Sequence, residues 1–251
     1  MNRKGEVGFR QRIQLDWLEQ TAQLYISGQI RDEIEGSLQD LLQDQLSVGS
    51  DAKRGNREVA ISILLKVWVA VPNGLESLRN EGLELLKRLP PKDHLVVHWG
   101  MVMAVYPFFQ VLIETVGRLL RLQGNVAASQ VQRRMREQFG QRSTVERATQ
   151  RTLRCLIDWE VLKETGEKGI YQAPPSLSVH DAQLAEWLIE ATLIASGSGT
   201  STLRAVIQNP ALFPFNTESL NIRGLEFHNR LEILRQGLDE DVIMLRGGVV
   251  R

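Results

Sequence analysis

The chain has 251 residues, with 30 Lys+Arg against 30 Asp+Glu, 43% hydrophobic and 24% charged. This is ordinary for a soluble globular protein and leaves ample length for a buried core. The single cysteine, Cys155, excludes an internal disulfide or a multi-cysteine metal site and fits a cytoplasmic setting, and the charged N-terminus shows no secretory signal.

The neutral total conceals a local excess. Residues 118–154 hold 9 Arg and 2 Glu, a net of +7, so the remainder is acidic. Attraction to a polyanion depends on the local field, not on the sum.

Residues 9–47 read as helical. Phe9, Ile13, Trp17, Leu24 and Ile26 fall near one face, with Gly28 as a stop, and Ile30, Ile34, Leu38, Leu41, Leu42 and Leu46 continue at helical spacing. Residues 47–56 form a polar loop. The β-branched stretch 57–71 fits a buried helix or a strand. Leucines over 75–89 predict a further helix, stopped by Pro90-Pro91. Residues 1–92 thus read as an N-terminal helical region.

Residues 95–113 are mostly apolar and close to the length that spans a bilayer. Pro107 interrupts them, and proline removes a helix hydrogen bond and pushes the preceding residue out of helical geometry. The expectation is two buried helices meeting near Tyr106-Pro107, the first capped by Asp93, with no membrane contact.

After the break a helix runs over 107–123 and a shorter one between Asn125 and Gly140. The shorter one carries Ala127, Ala128, Val131, Met135 and Phe139 on its apolar side, and Arg133 and Arg136 point away. Ser143 and Glu146 have the spacing of a capping box, which starts the next helix at Thr144. At 100° per residue, Val145, Ala148, Thr149, Thr152, Cys155, Leu156 and Trp159 share one face. Ser143, Arg147, Gln150, Arg151, Arg154 and Asp158 lie opposite.

Those outward residue types suit duplex DNA. Arginine bridges the two acceptors of guanine or grips a phosphate, glutamine pairs with adenine, and a helix N-terminus attracts phosphate. Two short helices joined by Gly140-Gln141-Arg142 have helix-turn-helix spacing.

The stretches "ASQVQRRMREQFG", "STVERATQRTLRCLIDWEVL" and "KETGEKGIYQ" together resemble a winged helix-turn-helix domain over about residues 107–173, within a middle unit of 93–173. The resemblance makes 107–123 the first helix, 126–139 the second and 143–160 the recognition helix. Leu162–Thr165 and Ile170–Gln172 become the wing strands around Gly166–Gly169. It implies binding of double-stranded DNA through Arg142, Ser143, Thr144, Arg147, Gln150, Arg151 and Arg154, with Lys168 on the wing, and Arg133 and Arg136 extending the basic surface. A winged helix that binds an acidic protein partner is the alternative, and homo-oligomerisation is open.

Residues 174–251 read as an α+β region. His180 reads as a helix-start residue, the loop 197–202 caps a short helix, 210–216 is extended, and two strands flank Gly237-Leu238-Asp239. The fold class is therefore mainly α, with a small β component. No catalytic motif, cofactor site or metal site is expected. The Gly-rich loop 197–202 lacks a P-loop lysine. His94 and His98 share a helix face without a third ligand at the expected spacing, and they read as a structural pair. Cys155 reads as a small core residue.

Overall fold

The computed structural model describes residues 7–46, 55–216, 230–236 and 240–246. Its N-terminal segment 7–14 is irregular, with a bend at Gln11, and not helical as the periodicity suggests. Phe9, Gln11 and Ile13 are buried while Arg10, Arg12 and Gln14 are exposed, the alternation of a strand. Phe9 and Ile13 therefore reach the core without a helix, and α1 spans only Leu15–Ile26.

Three more helices follow: α2 (Arg31–Leu42), α3 (Asn56–Trp68) and α4 (Glu76–Arg88). The ambiguous 57–71 stretch is thus a helix, buried over seven of its positions. Next comes α5 (His94–Val105), with eleven of its twelve residues buried. A helix apolar all round needs neighbours on every side, and α1, α3, α4, α6 (Pro107–Gln123) and, above all, the later α9 (Ala182–Ser196) supply them. Asp93 ends a short 3-10 turn and makes no side-chain cap bond to α5, contrary to expectation.

Tyr106 is extended between α5 and α6, and Pro107 opens α6, where its missing N–H costs nothing. The two helices bend by 118°. Among the described residues no single helix is long and apolar enough to cross a membrane.

From α6 the chain forms a small unit: β1 (Val126–Ala127), α7 (Ala128–Phe139), α8 (Ser143–Asp158), β2 (Lys163–Glu164) and β3 (Ile170–Gln172). The strands make an antiparallel sheet in the order β1-β3-β2. Tyr171 pairs with Val126 on one side and Glu164 on the other. The first strand, β1, has no counterpart in the sequence reading. Two residues are too few for a periodic signal.

The remainder comprises β4 (Leu177–Ser178), α9 (Ala182–Ser196), β5 (Thr200–Thr202), α10 (Leu203–Ile207), β6 (Phe215–Asn216), β7 (Leu231–Gln236) and β8 (Glu240–Leu245). Asp181, not His180, starts α9: its side chain accepts from the Leu184 N–H. Thr202 caps α10 as expected, but it does so from a strand, β5, rather than from a loop. Residues 210–212 form a 3-10 turn instead of an extended run. The two C-terminal strands pair antiparallel in the order β5-β8-β7, and their turn at 237–239 lies outside the described residues. So do most of the 47–56 loop and His228.

One apolar core runs from Phe9 to Phe215 and is continuous across residues 92 and 173. Trp187 of α9 lies so close to α5 that a Cβ on Gly100 would collide with its ring. A second, smaller cluster of Ile189, Leu193, Val206, Leu231 and Ile243 seats the C-terminal sheet on α9.

Candidate nucleic-acid interface

The inward face of α8 is as expected: Val145, Ala148, Thr149, Thr152, Cys155, Leu156 and the following Trp159 are all buried. Cys155 is inert there. Burial pushes its thiol up to about 12, and its Sγ accepts from the Ile13 N–H at 3.1 Å.

The start of α8 differs from expectation. Arg142 is the N-cap residue, the helix begins at Ser143, and no capping box forms. Glu146 is instead drawn to Arg136 of α7, 3.1 Å away. Among the described residues the N–H groups of Ser143 and Thr144 have no acceptor, so this helix end faces outward with free donors, and the one carboxylate in its first turn, Glu146, is shared with Arg136.

The outward face is basic, but its arginines are not equivalent. Arg147 and Gln150 are exposed and engage no other described side chain or backbone group. Arg154 is exposed and bonds Glu164 of β2 at 2.7 Å, which ties the hairpin to α8. Arg151 is half-buried and donates to the Arg10 carbonyl at 2.8 Å. Arg142 folds back onto the Phe139 carbonyl at 2.9 Å. On α7, Arg133 lies 3.8 Å from Glu137, which also pairs with Arg134 at 3.0 Å. Arg133, Arg136, Arg142 and Ser143 line one cleft where α7 meets α8. Lys168 is exposed at the hairpin tip, beside Glu167.

These ion pairs are solvent-exposed, and such pairs are worth about 0–1 kcal/mol. A backbone phosphate binds arginine with comparable geometry and lies in the dense charge of a polyanion, so it can displace a surface carboxylate. Both acids on α8 outside its buried face are held by arginines from other elements: Glu146 by Arg136 and Asp158 by Arg12. The face therefore presents cations, with its carboxylates compensated.

Arg10 and Arg12 were not among the expected site residues. The signal was present as the alternation of Phe9, Gln11 and Ile13 with Arg10, Arg12 and Gln14. A helical reading of 9–14 concealed it.

Two further polar clusters lie elsewhere. His94 Nδ1 and His98 Nε2 both meet Glu19 Oε2, at 2.9 and 2.8 Å. Among the described residues no group of three or more His, Cys, Asp or Glu is arranged to hold a metal ion. A cavity of about 380 Å³ between α4, α9 and β7 is lined by Glu81, Arg88, Glu186, Trp187, Glu190 and Arg230, among others. Its ions are largely tied internally: Arg230 bridges Glu81 and Glu190 at 3.1 and 2.7 Å, and Arg88 pairs with Asp181 at 2.6 Å.

No family model, curated protein or solved structure matches the chain.

Proposed function

We propose that the protein binds double-stranded DNA through a winged helix-turn-helix unit formed by residues 107–172, acting by binding rather than by catalysis. The element order α6-β1-α7-α8-β2-β3 and the antiparallel sheet order β1-β3-β2 support this reading. In a helix-turn-helix the second helix enters the major groove and the first crosses the backbone. Here those are α8 and α7.

The observation that carries the reading is the outward face of α8. Arg147 and Gln150, one turn apart, stand free of intramolecular partners among the described residues, behind an uncapped helix N-terminus. These two are the base-contacting side chains. Arg142, Ser143, Thr144 and Arg154, with Arg133 and Arg136 on α7 and Lys168 on the hairpin, contact phosphates. Phosphate contacts dominate affinity and make it fall steeply with salt.

The test is a fluorescence-anisotropy titration of a labelled random-sequence duplex at low and moderate salt. Wild type is expected to bind in a salt-sensitive manner, and Arg147→Ala/Arg154→Ala, with an unchanged circular-dichroism spectrum, to lose most of that binding. Absence of binding by folded wild type at low salt would refute the proposal.

A further inference from the structure

The non-helical segment 7–14 lies along α8. Arg151 of α8 donates to the Arg10 carbonyl, the Ile13 N–H meets Cys155 Sγ, and Trp159 Nε1 donates to the Ile13 carbonyl at 3.0 Å. Contacts to 151, 155 and 159 recur at one-turn intervals, so the segment follows one flank of the helix. Phe9 and Ile13 are fully buried and anchor it. Phe9 stacks edge-on against Tyr106 and Phe109 at the start of α6. The segment is thus part of the same packed body as α8.

Its strand-like alternation sends Arg10 and Arg12 to the solvent side. The two have different fates. Arg12 is spent on Asp158, to which it makes two hydrogen bonds. The Arg10 side chain has no partner among the described residues, although its own carbonyl is held by Arg151. A cation whose backbone is fixed from both sides needs only its side chain ordered on binding, which lowers the entropic cost.

We infer that segment 7–14 is a second, preorganised phosphate-contacting element of the DNA interface, with Arg10 gripping the backbone beside the groove that α8 enters. Arg151 acts here as a positioning residue: it fixes the Arg10 main chain and is not free to search for a base. This inference rests on the DNA-binding reading of α8. It adds a contact that no helix-turn-helix element supplies.

Counterion release provides the readout. Each phosphate contact contributes about 0.9 to the slope of log affinity against log salt concentration on duplex DNA. Full-length wild type, Arg10→Ala, Arg147→Ala and the control Arg31→Ala, on the exposed start of α2, would be titrated with a random-sequence duplex across a salt series. Arg10→Ala is expected to bind more weakly and to shallow the slope by roughly one contact, about 0.9, with an unchanged melting temperature. Arg31→Ala is expected to match wild type. If Arg147→Ala weakens binding while Arg10→Ala leaves affinity and slope unchanged, the arm contact is overturned and the α8 reading stands. If wild type does not bind duplex, both fall.

Discussion

Arg12 and Asp158, 146 residues apart in sequence, form a bidentate pair: Nε to Oδ2 at 2.5 Å and Nη2 to Oδ1 at 2.6 Å. Their side chains are 55% and 20% exposed, so the pair contributes at most about 1 kcal/mol to stability. Its larger consequence is electrostatic, because it neutralises the last carboxylate on the α8 face. Arg12→Ala is expected to weaken duplex binding while lowering the melting temperature by no more than about 2–4 °C. Arg12→Ala/Asp158→Ala is expected to recover most of the lost affinity. A double variant as weak as the single one would show that Arg12 acts by another route.

Arg154 and Glu164 make the opposite case, a cation partly withdrawn from the face. The pair is about half exposed at both ends. On the proposed DNA-binding reading, a duplex phosphate would have to displace Glu164 to reach Arg154. Glu164→Gln is expected to tighten binding at low salt, by up to about fivefold if the released pair is worth about 1 kcal/mol, and the gain is expected to shrink as salt rises. Unchanged or weaker binding in an anisotropy titration would remove Arg154 from the interface.

The positions of α7 and α8 are legible in the sequence because both helices are amphipathic: Val131, Met135 and Phe139 on α7, and Val145, Ala148, Thr152 and Leu156 on α8, give the period directly. It carried the hairpin through Gly166 and Gly169, and Gly169 takes the positive φ, 78°, at the tip. The expected cap at Ser143 failed because a tertiary partner, Arg136, outcompetes the local bond for Glu146. The role of residues 9–14 was illegible for a similar reason. Phe9 and Ile13 satisfy the helical interval of four, yet contacts from Arg151 and Trp159, more than 140 residues away, hold their segment out of a helix. Local pattern reads elements whose partners are nearby and misreads those fixed from a distance.

Glu19 joins α1 to α5 by accepting from both His94 and His98. Burial pushes its carboxyl up, but the bonds from His98, Gln23 and His94 outweigh this and bring it down from 4.5 to about 2. Burial also holds His98 below its ordinary 6.5, and its Nδ1 has no partner among the described residues, as befits a neutral ring donating through Nε2. A depressed carboxyl contributes stability that is full above about 4.5 and is lost as pH falls toward 2. Glu19→Leu leaves the buried His98 ring N–H without an acceptor, while His94 keeps the Leu89 carbonyl at 3.0 Å, and is expected to cost on the order of 1–3 kcal/mol at neutral pH. The gap to wild type is expected to narrow in urea titrations near pH 3. A gap of constant size would refute this role for the ionised carboxylate.

Glu190 behaves in the reverse sense. Burial raises its carboxyl from 4.5 to about 7, with Arg230 opposing the rise and Glu81 reinforcing it. The folded chain therefore holds this proton more tightly than the unfolded chain does. The resulting stability is full below about 4.5 and is lost as pH rises through about 7. Glu190→Gln removes the ionisation but keeps an oxygen that Arg230 can donate to, and Arg230 retains Glu81. Relative to wild type, the variant is expected to gain stability between about pH 5 and pH 8, by up to roughly 3 kcal/mol if the whole shift is realised. Urea unfolding of both proteins across that range measures the difference directly. Because Arg230 directly precedes β7, a gain confined to high pH would place the cost of ionising Glu190 where the C-terminal sheet meets α9. A difference that is flat with pH would mean that Glu190 is already ionised throughout and that its bond to Arg230, 2.7 Å long, outweighs its burial.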